Sequence, residues 1–334
     1  MTTTQDAAIG FAPEATYGVA VTPTRWAEFV SETLDFRKSV KQGSGLRVGS
    51  RVARSGRRVV PTADGGGDII LEIVSKGMGP IWNACLGQSV STLVAGTTYQ
   101  QNHTLGDILP SLTLQKSLPL ADGSISAYTF LGGMVSGWEL DFLNADILQM
   151  KVTIDAKDVS TGVAFAPVSY VVGSTLFNFA NATIYSGALT APTPMALGIG
   201  ATPIASVRGG TLVVSNGFKG DRYNIGGGGR KAKQLVGLRA ITGKLDVEYA
   251  DNTFRDAVLN DTPMSIVLNY TGAALSTGVE TLQIIVPEVK FDGILPRSNG
   301  VDLIVVPMAY QGLDALIPST QPIYVVCRTS DTAL

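Results

Sequence analysis

Charge is scarce in this sequence. Lys, Arg, Asp and Glu make up 16% of its 334 residues, against roughly 25% in ordinary soluble domains. Hydrophobic residues make up 45%. A soluble chain this poor in charge must cover much of its surface, and copies of itself are the simplest cover. The 25 basic and 27 acidic side chains leave a formal net charge of -2. That excludes a global basic field holding nucleic acid by its phosphates, although a polymer can pass without sticking.

Histidine and cysteine are nearly missing as well. One histidine, His103, and two distant cysteines, Cys85 and Cys327, fall short of the usual ligand sets of a zinc site. With no CxxC spacing, no disulfide framework is expected and both thiols read as buried and free. His103 lies in the polar run Gln101-Asn102-His103-Thr104. No nucleophile motif such as GxSxG accompanies it, so it reads as an exposed loop residue rather than a general base. No apolar run approaches the ~20 residues of a membrane-spanning helix. The stretch Met1 to Asp6 has neither the basic nor the apolar region of a signal peptide, which fits synthesis and folding in a bacterial cytoplasm.

Two glycine-rich runs resemble ligand loops only on the surface. Gly226 to Gly229 precede Arg230 and Lys231, but Ala232 follows the lysine, so the P-loop pattern fails. This run reads as a mobile tip. Asp64-Gly-Gly-Gly-Asp68 lacks the oxygen-ligand spacing of a calcium loop and reads as a turn entering a strand. No catalytic, cofactor or metal site is expected.

What the chain does have is punctuation. Its 38 glycines separate short apolar runs, the spacing of a mainly β chain with many turns. The clearest pattern lies at 138–155. Trp138, Leu140 and Phe142 alternate with Glu139 and Asp141; after the turn Asn144-Ala145-Asp146, Leu148, Met150, Val152 and Ile154 alternate with polar residues through Asp155. Period two on both arms predicts a hairpin with one dry and one mostly acidic wet face. Leu245, Val247 and Tyr249 alternate with Asp246 and Glu248 in the same way. Further strands are expected at 26–37, 68–74, 211–214, 265–270, 282–289, 303–306 and 324–328. Met78, Ile81, Trp82, Cys85 and Leu86 have helical spacing, with Pro80 in the first turn and Gly87 as the stop. A second short helix follows Asp251 through Leu259. The order strand 68–74, helix 76–87 echoes strand 243–249, helix 252–260, a hint that two related segments face each other.

Residues 1–24 read as an extended arm, and 160–235 as a Gly/Ala/Thr-rich insertion. Residues 41–60 hold Lys41, Arg47, Arg51, Arg54, Arg57 and Arg58 with no acidic residue. They read as a long flexible loop, and lack the interleaved aromatics of a single-strand stacking platform. A charge-complementary contact with a neighbouring copy suits them better.

The run Ile9-Gly-Phe-Ala-Pro-Glu-Ala-Thr-Tyr-Gly-Val-Ala-Val-Thr-Pro-Thr-Arg25-Trp26-Ala-Glu-Phe29 resembles the opening of tail tube proteins of actinobacterial siphophages. So do Arg54-Ser-Gly-Arg57-Arg58, Gly66-Gly-Asp-Ile-Ile-Leu-Glu-Ile, Lys76-Gly-Met-Gly, Gly137-Trp-Glu-Leu and the segment around Tyr249-Ala-Asp-Asn-Thr-Phe254. The resemblance covers nearly the whole chain, with 160–235 its least distinctive part. It implies a single β-sandwich or barrel-like tail tube domain, 1–334, with one or two short flanking helices. Six copies would close a ring-wide β-barrel, and rings would stack into a tube. The tube would surround a tape measure protein during assembly and conduct DNA during infection, with tail terminator and distal tail or baseplate proteins as its other partners. Channels of this family tend to be acidic, which makes Glu139, Asp141, Asp155, Asp246 and Glu248 the lumen candidates. Trp26, Phe29, Arg47, Arg51, Arg54, Arg57 and Arg58 become candidates for contacts between subunits or rings, with Trp26 and Phe29 anchoring the arm. The competing reading takes the acidic pairs Glu139/Asp141 and Asp246/Glu248 as the carboxylates of a tail-associated glycan-binding or glycan-cleaving β protein. Aromatics at 7%, without clustering, argue against it.

Overall fold

Alternation places Trp138, Leu140, Phe142, Met150, Val152 and Ile154 on one dry face, all buried. The hairpin they form is the spine of the fold. The computed structural model describes residues 4–49, 51–293, 295–296, 303–317, 320–332 and 334; the first three residues of the expected arm lie outside them. Among the described residues the strands are β1 (Ala8–Pro13), β2 (Arg25–Ala27), β3 (Phe29–Glu32), β4 (Asp35–Gln42), β5 (Arg58–Glu72), β6 (Gly87–Ala95), β7 (Thr98–Leu105), β8 (Leu112–Pro119), β9 (Ile125–Phe142) and β10 (Gln149–Ala156). They continue as β11 (Asp158–Ser160), β12 (Ala182–Thr190), β13 (Ile199–Pro203), β14 (Val207–Ser215), β15 (Ala240–Glu248), β16 (Met264–Ala274), β17 (Val279–Gly293), β18 (Val305–Gly312) and β19 (Tyr324–Thr329). The helices are α1 (Gly79–Leu86) and α2 (Thr253–Leu259). None is long and apolar enough to cross a membrane.

The named strands pair antiparallel. A first sheet runs β4–β5–β10–β9–β14–β15–β18, with β3 on the same side of β5 as β4. β18 then meets the C-terminal part of β17. The N-terminal part of β17 lies between β16 and β19, inside a second sheet running β13–β12–β16–β17–β19–β7–β6. β17 therefore belongs to both sheets. β9 likewise leaves the first sheet: its early residues pair with β8 and β11, and β8 pairs with β1.

One core joins the sheets. Leu140, Met150, Leu212 and Leu245 of the first pack in the same cluster as Leu268, Leu282, Ile284 and Val325 of the second. This is a β-sandwich, mainly β as the sequence predicts. α1 is buried with it, and Trp82 meets Trp138 edge-on at 5.5 Å between ring centres. Pro80 opens that helix, and Gly87 ends it at φ 96°, the left-handed geometry that a side chain resists. In α2, Asp251 accepts a hydrogen bond from the Thr253 amide at 2.8 Å.

Three details of the fold depart from the sequence reading. Asp64 to Asp68, expected as a turn entering a strand, lie inside β5. Residues 8–13 of the expected arm form β1, bonded to β2 and β8, and Ile9 and Phe11 enter the main core; their alternation with Gly10 makes them a strand. The two strand–helix units do not face each other. β5 and β15 stand in one sheet with β10, β9 and β14 between them.

Candidate functional site

Register lines up the outer face of the first sheet. One transverse row reads Glu72, Gln149, Asp141, Thr211, Lys244, Ala309, Asp292. The next reads Ile70, Lys151, Glu139, Val213, Thr242, Gln311, Lys290. Asp246 and Glu248 follow Lys244 at period two, on the same side. The structure thus brings Glu139, Asp141, Asp246 and Glu248 onto one face. The face is mixed in charge, not simply acidic. Glu139 is ion-paired with Lys151, Asp246 with Lys244 at 3.5 Å, and Glu248 with Arg208 at 3.6 Å. The cross-strand cations, Lys151 and Arg208, come from β10 and β14, whereas Lys244 and Asp246 are neighbours at period two along β15. Burial, then the charge of Glu139, raises the Asp141 carboxyl above its ordinary range, and Lys151 opposes the shift. These carboxylates alternate along single strands of an open face and do not oppose one another across a cleft, as glycoside hydrolysis requires.

Asp155 behaves differently. Its side chain is nearly covered, within 2.6 Å of the Lys231 ammonium. The same ammonium lies 2.7 Å from Asp64. Arg37 reaches both carboxylates, at 2.9 and 3.4 Å, and the Tyr223 hydroxyl donates to Asp64 at 2.7 Å. This knot removes Asp155 from any wet face, because the segment carrying Lys231 folds over it. It also corrects the reading of 226–231 as a mobile tip. Arg230 pairs with Asp158 at 2.9 Å, and the Gly229 carbonyl accepts from the Ala63 amide at 3.0 Å. A Cβ on Gly229 would sit 2.4 Å from the Pro61 carbonyl oxygen, so only glycine allows this approach. Burial by itself would raise the Asp64 carboxyl; hydrogen bonds from Lys231 and Tyr223, with the Lys231 and Arg37 charges, outweigh it and hold it below its ordinary value. Asp64, Asp155 and Lys231 are far apart in the chain, so no local pattern announces them.

The basic segment is the tip of a hairpin. β4 and β5 ladder from Asp35–Gly66 out to Gln42–Arg58. Arg47, Arg51, Arg54 and Arg57 lie in the connection and Arg58 opens β5. Among the described residues none of the five has a carboxylate within ion-pair distance. Between them Leu46, Val48 and Val52 are 101%, 100% and 82% exposed. These aliphatics, in a loop read only for its charge, are the feature the sequence analysis missed. Their presence in a Gly/Ser/Arg run was the available signal.

Trp26 and Phe29 face inward. Trp26 is 4% exposed, edge-on to Phe165 at 5.4 Å, and so close to Gly10 that a Cβ there would meet its ring at 2.7 Å. Phe29 is half-buried against the main core. Both tie the N-terminal segment to its own chain.

His103 is likewise not an exposed loop residue. It stands in β7, fully buried. Its Nδ1 lies 2.6 Å from the Ser89 hydroxyl, which itself donates to Asn83 at 3.0 Å. Nδ1–H is then the donor to Ser89, and Nε2 is left a bare lone pair without a partner. Cys85 and Cys327 are free and buried as expected.

A family model described as phage tail tube protein matches residues 4–312. No curated protein matches the chain.

Burial depresses the His103 pKa to about 3. Above the ordinary value near ~6.5 both folded and unfolded forms are neutral. Below it only the unfolded chain takes up the proton, so stability falls with pH until the folded value is reached. Because the chain has 1 histidine, denaturant titrations between pH 6.5 and 5 should show a loss approaching about 1.4 kcal/mol per pH unit. In His103→Gln this slope should flatten. Lys231→Met removes the covered one of the two cations that Asp64 and Asp155 share, leaving the half-exposed Arg37, and should destabilise by up to about 3–5 kcal/mol. Adding Asp155→Asn should recover part of that loss in the same unfolding assay.

Proposed function

The chain belongs to the phage tail tube protein family, and from that premise we propose that its copies form hexameric rings stacked into a non-contractile, siphophage-type tail tube. It is a structural protein of the virion tail, assembled in the host cytoplasm, without a catalytic role. The tube encloses the tape measure protein as it grows, meets the terminator and the distal tail or baseplate proteins at its ends, and later passes DNA.

The observation that carries this reading is the set of open borders. Among the described residues β4, β6 and β13 each ladder on one side only. An open border offers unpaired N–H and C=O groups, and closing a barrel across subunits removes it. Sheets continued through neighbours would carry the transverse rows around a channel. Glu139, Asp141, Asp246 and Glu248 are the groups proposed to face it. Their paired lysines hold the surface near neutrality, with the carboxylates screening each ammonium from phosphate. DNA then meets no free cation to bind and slides.

Purified protein at raised concentration should give tubes of uniform diameter in negative stain. Protein that stays monomeric, even with a tail-initiation complex, would sink the proposal. Glu139→Gln with Asp246→Asn leaves Lys151 and Lys244 without their carboxylates. Tubes of this variant should retain double-stranded DNA in a low-salt sedimentation assay and release it as salt rises, whereas wild-type tubes retain none.

A further inference from the structure

The second sheet ends in two open borders. β6 and β13 are separated by β12, β16, β17, β19 and β7, roughly 30 Å at about 4.8 Å per strand. Register decides which backbone groups each border offers. The Gly106 amide donates to the Leu86 carbonyl, one step outside the pair Gly87–Leu105. Antiparallel pairs alternate between bonded and unbonded. Gln88, Val90 and Thr92 therefore bond to β7, while Ser89 and Ser91 turn their N–H and C=O outward.

The same count applies to β13. The Ile204 amide donates to the Ile184 carbonyl, and the Thr193 amide to that of Ala196. Tyr185 stands opposite Pro203 and Leu189 opposite Gly200. Gly200 and Thr202 thus bond to β12, and Ile199, Ala201 and Pro203 turn outward. Among the described residues no backbone partner reaches these outward groups on either strand.

The borders differ in how they are guarded. Charge and proline are the usual devices. β4 carries Asp35, Arg37, Lys38 and Lys41. β13 is 5 residues long and ends on Pro203, which has no N–H to offer. The 9 residues of β6 include neither a charge nor a proline, and Val90 and Leu93 stand half-exposed along them.

We propose that β6 of one copy pairs with β13 of the next copy in the ring. The inference rests on the tube reading and adds to it which border meets which. Outward groups recur at every second residue on both strands, the spacing a ladder needs. Neither strand is charged, so the pairing covers no ion. β4 in place of β13 would bring Lys38 and Lys41 beside a strand with no carboxylate to receive them. The two borders are different surfaces, so the contact is heterologous. Each copy gives β6 to one neighbour and β13 to the other, and a closed ring leaves neither open.

The experiment uses the full chain. Hydrogen exchange is compared between wild-type monomers and wild-type tubes. The amides of Ser89, Ser91, Ile199 and Ala201 should slow at least about tenfold in tubes. Ser91→Pro and Ile199→Pro each remove one outward N–H and spare the bonds to β7 and β12, so both should keep the wild-type circular dichroism spectrum. Each variant alone should sediment as a monomer at concentrations where wild type forms tubes. An equal mixture holds one intact β6 and one intact β13, and should sediment as dimers and no further. Ile199→Pro protein that dimerises by itself would pair β6 with β6 and overturn the proposal, as would a mixture that stays monomeric. Wild-type tubes whose two borders exchange as fast as in the monomer would also overturn it, without any variant, and would leave the tube reading standing. Wild-type protein that forms no tubes would overturn the tube reading, and this pairing with it.

Discussion

Everything in this architecture answers to the unpaired backbone groups along a strand border. Each N–H and C=O there needs a partner, and a sheet that ends in water must be guarded or continued. The chain meets this demand twice internally. β17 serves two sheets, and β9 leaves one sheet to open another. Among the described residues it then leaves β4, β6 and β13 open. The borders differ in kind. β4 reads Asp35-Phe-Arg-Lys-Ser-Val-Lys-Gln42, charged enough to discourage casual pairing. β6 reads Gly87-Gln-Ser-Val-Ser-Thr-Leu-Val-Ala95 without a charge, and Val90 and Leu93 stand half-exposed on it. A monomer with such a border would aggregate; a subunit with it assembles. The low charge of the chain is the compositional side of the same fact.

Electrostatics here holds shape more than it binds ligands. The knot of Asp64, Asp155, Lys231 and Arg37 fastens the loop carrying Lys231 across the root of the β4–β5 hairpin. A long hairpin is a weak lever unless its root is held, and the knot holds it at the point where β10 ends. Among the described residues the distal arginines have no carboxylate within ion-pair distance, which leaves their charge for a neighbour. On the outer sheet face the opposite arrangement applies: Lys151 meets Glu139 and Arg208 meets Glu248 across strands, and Lys244 meets Asp246 along one strand. Matching lowers the field of the face without removing its polarity.

Much of the fold was legible because the strongest patterns are local. Strict alternation at 138–155 and 243–249 reports a half-buried sheet whatever lies beside it. Proline at 80 and glycine at 87 bracket a helix by backbone geometry alone. The placement of Trp26, His103 and Lys231 was not legible, because burial is a property of what lands on top. A polar stretch such as Gln101-Asn102-His103 looks solvent-exposed until β6 and β19 flank it on either side. Gly229 and Lys231 look loose until Pro61 and Asp155 arrive beneath them.

The sequence by itself determined the class: a charge-poor, glycine-punctuated β chain with acidic residues on the wet faces of its strands, a basic segment near its start, and the tail tube resemblance. Those are properties of composition and short-range spacing, and no folding is needed to read them. Tertiary structure alone decided that Lys151 stands beside Glu139 and Arg208 beside Glu248, and that Asp155 is nearly covered. These depend on register between distant strands, and register is set by the packing of the whole core rather than by any one segment.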